Sequence, residues 1–306
     1  MQQMPVLQLI GTPEFTMSND RQKTFVLGVG AEKTGTTWLH TQLEKYEEFD
    51  KGFAKEYHIF DVLHISCGGK FQAEAAQKFR RLLKKDIAKA LRHSSFKRLS
   101  FYADTNSYFD YFAGLLEQDD CRLTADITPS YSGLPEDVLR SIKDGFNSRG
   151  IDVKVVFLMR EPINRLSSSV RMNFRKNERK INNSTVLAAM KQRLGKDSHI
   201  IRDNYVNTYN NLVKVFAEHE RFIGFYETIF SSSEIERLRQ FLNLATNEFD
   251  TSQKVNVTRQ KIQIPAPEIE SFKTYFADRY EFVRDNFDPG IYSAWMKEIE
   301  KVTEGN

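Results

Sequence analysis

Two glycines five residues apart, a lysine between them and two threonines after them stand at Gly30-Ala-Glu-Lys33-Thr34-Gly35-Thr36-Thr37. The spacing Gly-x-x-x-x-Gly belongs to loops whose backbone N–H groups cradle a phosphate. An apolar run over residues 25–28 precedes the loop and a helical pattern follows it. The loop therefore lies between a strand and a helix N-terminus, where amide groups and the helix dipole favour an anion. Loops that bind nucleoside triphosphates carry their lysine directly after the second glycine. Here that position is Thr36, and the lysine is Lys33, inside the loop. The displaced lysine reaches a different oxygen of a bound nucleotide. The loop reads as a holder for a 5′-phosphate, not as a device for Mg²⁺ and a γ-phosphoryl group.

Three further segments carry chemistry-bearing side chains. The first is Lys55-Glu56-Tyr57-His58-Ile59-Phe60-Asp61, an extended-looking stretch in which Glu56 and His58 point to the same side. A carboxylate beside an imidazole makes a base and partner for taking a proton from a hydroxyl; the plain alternative is a surface patch of mixed charge. The second runs from Arg160 to Ser168, directly after the strongly apolar residues 153–159. An arginine leaving the carboxyl end of a strand and a serine about two helical turns later can grip one phosphate. Arg165 is expected to pair with local acids, and the plain alternative for the segment is a helix cap with scattered charge. The third, residues 256–267, is a basic loop bracketed by prolines that contains Arg259 and Lys261; its plain reading is a solvated loop.

The elements that must position these groups alternate. Strands are expected at residues 25–28, 122–125, 153–159 and 222–226. Helices are expected from a Thr36 or Thr37 cap to about Tyr46, then over 72–93, 135–146, from Pro162 onward, 233–243 and 265–286. This pattern predicts a single α/β domain, a P-loop NTPase-like doubly wound parallel sheet flanked by helices, over residues 23–306. Residues 1–22 read as a flexible N-terminal arm.

Composition sets the outer bounds. The chain has 306 residues, of which 40% are hydrophobic and 28% charged, enough for a sizeable core. A net charge of +3 is too small to argue for nucleic acid. Only Cys67 and Cys121 are present, so no disulfide framework is implied and a cytoplasmic location is expected. No apolar stretch approaches the roughly 20 residues that cross a bilayer, and the N-terminus lacks the basic and apolar regions of a signal peptide.

The segments LGVGAEKTGTTWL, KEYHIFD, ADITPSY and VFLMREPINRLSSS, in this order, resemble the sulfotransferase family, most closely its carbohydrate branch of heparan-sulfate-type enzymes and their soluble bacterial relatives. The likeness covers roughly residues 24–290. It implies 3′-phosphoadenosine 5′-phosphosulfate as donor, adenosine 3′,5′-bisphosphate as product, and no metal. By the resemblance Lys33, Thr34, Gly35, Thr36, Thr37 and Trp38 hold the 5′-phosphosulfate, with Lys33 close to the bridging oxygen. Arg160 and Ser168 hold the 3′-phosphate. Glu56 matches the catalytic glutamate and His58 the histidine beside it, and Arg259 and Lys261 match a late basic loop that closes over the donor. Tyr226 and Glu227 match a structural pair. One departure concerns the acceptor: where the heparan-type enzymes carry a lysine before Thr-Pro, this chain has Ile127.

The implied partners are the small-molecule donor and a hydroxyl acceptor, a glycan or small molecule, transferred to by in-line displacement with Glu56 as general base. Residues 171–180, RMNFRKNERK, form a basic run that suits an anionic acceptor or is simply a solvated helix. Two other functions fit parts of the pattern. A P-loop kinase or NTPase would use Mg-ATP, with Asp126 as the acid and Thr37 as the hydroxyl at the metal. A catalytically silent nucleotide-binding module would keep the fold alone.

Overall fold

The computed structural model describes residues 22–65, 69–196, 203–244, 249–250 and 262–303. Cys67, Arg259, Lys261 and all of the expected arm except Gln22 lie outside the described residues.

Five parallel strands form the centre: β1 (Thr24–Gly30), β2 (Phe49–Asp50), β3 (Leu123–Ile127), β4 (Asp152–Met159) and β5 (Arg221–Phe225), in the order β2-β3-β1-β4-β5. All seven residues of β1 are buried, as a parallel strand covered on both faces requires. Its side chains still alternate between two core layers. Phe25, Leu27 and Val29 enter one layer with Phe112 and Phe146, while Val26 enters the other with Trp38 and Leu39. Gly28 lies so close to β3 that an added Cβ would sit 2.7 Å from Cγ2 of Ile127.

Helices cover both faces. In chain order they are α1 (Thr36–Leu43), α2 (Phe60–His64), α3 (Gly69–Leu83), α4 (Ile87–Arg92), α5 (Ser94–Ala103), α6 (Asn106–Leu116), α7 (Glu136–Asn147), α8 (Pro162–Lys176), α9 (Asn183–Arg193), α10 (Tyr205–Val215), α11 (Ser232–Phe241), α12 (Ala266–Tyr275), α13 (Ala277–Asn286) and α14 (Pro289–Thr303). Among the described residues no helix is long and apolar enough to cross a membrane.

The single α/β domain with a doubly wound parallel sheet is the architecture expected from the alternation. Three helical boundaries differ. Residues 72–93 are not one helix, because the Asp86 side chain accepts a hydrogen bond from the Lys89 N–H at 2.9 Å and starts α4 afresh. The first helix ends at Leu43 rather than Tyr46. Residues 265–286 divide into α12 and α13, and α14 continues beyond them.

From β1 the chain builds outward first to β2 and β3 on one side, then to β4 and β5 on the other. In an open sheet the crevice at such a reversal, outside the carboxyl ends of the strands, is where ligands bind. The phosphate-type loop, the turn at Thr128-Pro129 and Arg160 all leave the sheet there.

Candidate active site

The loop after β1 is shaped by three residues in left-handed or glycine-type backbone: Gly30 at φ +124°, Lys33 at φ 70° and Gly35 at φ 93°. Gly30 has no room for a side chain, since an added Cβ would lie 2.4 Å from the Pro129 carbonyl oxygen. Thr34 is buried, and its hydroxyl donates to the Ala31 carbonyl at 2.7 Å, closing the loop on itself. Gly35 occupies the cap position of α1, with no side-chain cap. The expected threonine cap is therefore corrected: the loop needs the positive φ at residue 35, which pushes Thr36 and Thr37 into the first helical turn. Thr36 is buried and Thr37 exposed. Trp38 departs further from its expected place. Its ring packs in the core against Phe230 and Phe249, and its Nε1 donates to the Asp250 carbonyl at 3.2 Å, so only its backbone belongs to the helix N-terminus.

Lys33 Nζ lies 3.6 Å from Met172 Sδ on α8. Burial holds this amine below the ordinary lysine pKa; Glu32 opposes the shift, and Arg175, Arg160 and Lys176 add to it. Arg160 crosses from the end of β4 toward the same place. Its Nη1 donates to the Lys33 carbonyl at 3.1 Å and its guanidinium lies 4.0 Å above the Tyr226 ring. Arg160 Nε is buried with no hydrogen-bond partner. Ser168 stands half-buried about two turns into α8, and among the described residues no hydrogen bond joins it to Arg160. Arg165 is ion-paired with buried Asp203, an acid distant in sequence and not a local one, and its Nε is buried without a hydrogen-bond partner.

Two carboxylates, buried Glu161 and half-buried Glu227, brace the start of α8. Glu161 accepts from the N–H groups of Ile163 (2.9 Å) and Asn164 (2.7 Å), so the residue after Arg160 is the helix cap. Glu227 accepts from the Glu161 N–H at 3.0 Å and from Trp295 Nε1 at 3.0 Å. Burial pushes the Glu227 carboxyl up to about 7. The Tyr226-Glu227 pair thus carries Arg160 through a ring below it and a carboxylate behind it.

On the other side of the loop, the segment after β2 is pinned to the end of β3. The Ile127 N–H donates to the Lys55 carbonyl at 2.9 Å and the Tyr57 N–H to Thr128 Oγ1 at 3.0 Å. Arg98 Nη2 donates to the Glu56 carbonyl at 2.7 Å, and the Tyr102 hydroxyl to the His58 carbonyl at 3.0 Å. The stretch is not uniformly extended, because His58 has φ 56°. The left-handed turn nonetheless brings the two expected partners together: His58 Nε2 lies 3.2 Å from Glu56 Oε2.

A relay extends from this pair in both directions. His58 Nδ1 is 2.8 Å from Oδ2 of wholly buried Asp61, which also accepts from Ser130 Oγ at 2.5 Å. Phe71 of α3 stacks on the imidazole with ring centroids 3.5 Å apart. Lys55 Nζ stands 2.7 Å from Glu56 Oε1 and 3.3 Å from Thr36 Oγ1. For Glu56, burial works to raise the pKa, but hydrogen bonds from His58 and Lys55 win and hold it at about 2. For His58, burial works to lower the pKa, and the bonds to Asp61 and Glu56 overcome it, so the imidazole keeps its proton above the usual histidine value. The hydrogen bonds of the pair thus favour a carboxylate on Glu56 and a proton on His58.

Lys55, Asp61 and Ser130 were not assigned roles from the sequence. Lys55 and Asp61 flank the Glu-x-His pattern and were legible as candidates by adjacency. Ser130 is 69 residues from Asp61 and carried no signal. Ile127 is wholly buried in the core layer with Trp38, so the cation beside Glu56 is Lys55. Asp126, the acid that an NTPase would aim at Mg²⁺, is wholly buried under four donors: Thr128 Oγ1 and the Tyr57 N–H on Oδ1, and the Tyr108 and Tyr131 hydroxyls on Oδ2. Its carboxylate faces the aromatic core and not the loop.

No protein-family model matches the sequence, and no curated protein sequence does. Among solved structures, the fold aligns with a sulfotransferase from Alicyclobacillus acidocaldarius at 16% identity and a TM-score of 0.56, over 90% of this chain and 99% of that one. The sulfotransferase domain of the curacin biosynthetic pathway aligns at 14% identity and a TM-score of 0.40, over 92% of this chain and 97% of that one. At these identities the likeness concerns the fold: this chain has the α/β architecture of a solved sulfotransferase.

Proposed function

We propose that the protein is a sulfotransferase that moves a sulfuryl group from 3′-phosphoadenosine 5′-phosphosulfate to an acceptor hydroxyl, with a sugar or glycan as the acceptor class. The observation that carries this reading is the placement of the Glu56–His58–Asp61 relay against a phosphate-type loop whose own cation, Lys33, sits within the loop. A base built for a hydroxyl proton and a cradle built for a phosphate share one crevice.

The residues present fit such a donor. Arg160 leaves a buried Nε without a partner, and Lys33 and Arg160 crowd together with no carboxylate ion-paired to either among the described residues. Both features are relieved by an anion. The donor, when bound, supplies an activated sulfuryl group whose leaving oxygen belongs to a phosphate. The N–H groups of Lys33 to Trp38 and the Thr36 and Thr37 hydroxyls would hold its 5′ end, and Arg160 with Ser168 its 3′-phosphate. Lys33 offsets charge on the leaving oxygen, a contribution on the order of 2–4 kcal/mol for a preorganised donor. Glu56 takes the acceptor proton, His58 orients Glu56, and Asp61 fixes the imidazole. Arg259 and Lys261 remain candidates for the loop that covers the donor.

The acceptor reading has its own support on α8. Ser168, Met172, Arg175 and Lys176 recur at helical spacing on one face, which continues from the donor end toward the exposed basic run at 171–180. An acceptor with anionic groups suits that face.

Thermal shift separates this reading from a kinase. Stabilisation by adenosine 3′,5′-bisphosphate without Mg²⁺ supports it, and a preference for Mg-ATP sinks it. Incubating the protein with radiolabelled donor and a panel of sugars, alcohols, lipids and tyrosine peptides then identifies the acceptor.

A further inference from the structure

Lys55 links the acid–base segment to the helix turn after the loop through side-chain hydrogen bonds. Its amine is shared between Glu56 Oε1 at 2.7 Å and Thr36 Oγ1 at 3.3 Å. The backbone of Lys55 is fixed, since its carbonyl accepts from the Ile127 N–H at the end of β3. The ammonium at the end of its flexible four-carbon stem is therefore the part free to choose between two neighbours. Thr36 lies in the first turn of α1, where backbone donors and the dipole favour an anion.

This arrangement poses a chemical difficulty that the same contact resolves. A carboxylate held by both a histidine and a lysine ammonium is a poor proton acceptor, because each partner favours its charged form. A general base works best when its basicity lies near the operating pH. An anion arriving at the loop competes with Glu56 for the Lys55 ammonium, and a doubly charged phosphate is the stronger competitor.

We propose that Lys55 couples occupancy of the phosphate loop to activation of the base: while its ammonium sits on Glu56 it neutralises the carboxylate, and with an anion bound beside Thr36 it swings to that anion and releases Glu56. This rests on the sulfotransferase reading for the identity of the anion, though not for the geometry of the exchange. In the transfer itself the Glu56 carboxylate accepts the hydroxyl proton as the acceptor oxygen bonds to sulfur. The bond from sulfur to the donor's phosphate oxygen breaks, and that oxygen keeps the electron pair. Lys55 then faces the new negative charge and not the newly protonated acid. The arrangement also withholds a competent base until the donor is in place, which guards against futile proton transfer.

A double-mutant cycle on the full chain, read by isothermal titration with adenosine 3′,5′-bisphosphate, tests this without any turnover. If Lys55 must leave Glu56 to reach the anion, Glu56→Gln removes the competitor, and binding should tighten about five-fold or more while Lys55 is present. In a Lys55→Met background the same Glu56→Gln change should alter affinity by less than about two-fold. Lys55→Arg should restore most of the coupling, because a guanidinium can make the same exchange. Equal effects of Glu56→Gln in both backgrounds, or none in either, overturn the proposal. Thermal midpoints within a few degrees of the parent confirm that the variants are folded. Should the bisphosphate bind no better than inorganic phosphate, the sulfotransferase reading fails, and the same cycle titrated with inorganic phosphate still decides the role of Lys55.

Discussion

Asp61 accepts hydrogen bonds from His58 and from Ser130 on the same oxygen, Oδ2, at 2.8 Å and 2.5 Å. That shared oxygen ties the segment after β2 to the turn after β3, and it aims the opposite ring nitrogen of His58 at Glu56. The acid–base pair is thus held by the sheet's carboxyl edge and not by its own loop. With α3 placing Phe71 flat on the imidazole, the ring has little freedom to turn.

Glu56→Gln should lower turnover by roughly 10²–10⁴-fold, the usual loss when a positioned general base is removed, while adenosine 3′,5′-bisphosphate still binds. Steady-state rates together with titration calorimetry read both quantities. Near-full turnover in this variant would remove Glu56 from the role of base and make His58 the next candidate.

Asp61→Asn should move the His58 titration down, because an adjacent carboxylate and its hydrogen bond favour the imidazolium. Following the imidazole ring protons by NMR across pH gives the value directly. An unchanged His58 titration would mean that Glu56 alone sets the charge on the ring.

Arg160→Lys should weaken bisphosphate binding by roughly 10–100-fold, since a lysine keeps the charge but loses the planar fork and its stack on Tyr226. Binding of 5′-AMP, which lacks the 3′-phosphate, should change far less. Equal losses for both nucleotides would place Arg160 outside the 3′-phosphate site.

Stability should decline as pH rises from about 4.5 to about 7. In the unfolded chain Glu227 titrates near the ordinary glutamate value of 4.5, whereas burial between Glu161 and Trp295 raises it to about 7 in the folded protein. The folded state keeps the proton through a window in which the unfolded state has lost it, so the stabilisation is complete below 4.5 and is lost as pH climbs through 7. At about 1.4 kcal/mol per unit the change is at most about 3.5 kcal/mol. Urea unfolding of the parent and of Glu227→Gln at pH 5 and pH 8 should show a smaller pH dependence in the variant. Equal dependence in the two proteins would remove Glu227 as its source.

The sequence by itself determined four of the five strands and the loop that leaves the first of them, whereas the two-residue β2 is too short to carry a pattern. Nearly continuous apolar runs such as residues 153–159 have few other ways to be buried than as inner strands, and the Gly30–Gly35 spacing is a local backbone property. Glu56 and His58 were legible because they lie two residues apart in one segment, although the turn that brings them together is held by distant Arg98, Tyr102 and Thr128. What only the tertiary structure decided is everything that depends on distant segments arriving together. Lys33 contacts Met172 from 139 residues away, Arg160 rests on Tyr226 and Glu161 on Glu227, and Asp126 disappears beneath Tyr108 and Tyr131 instead of facing the crevice. Trp38, adjacent to the loop in sequence, turns into the core because its helix must cover the sheet. Local pattern fixes which way a backbone runs, whereas the packing of one layer on another fixes which side chains face the ligand crevice and which face the core.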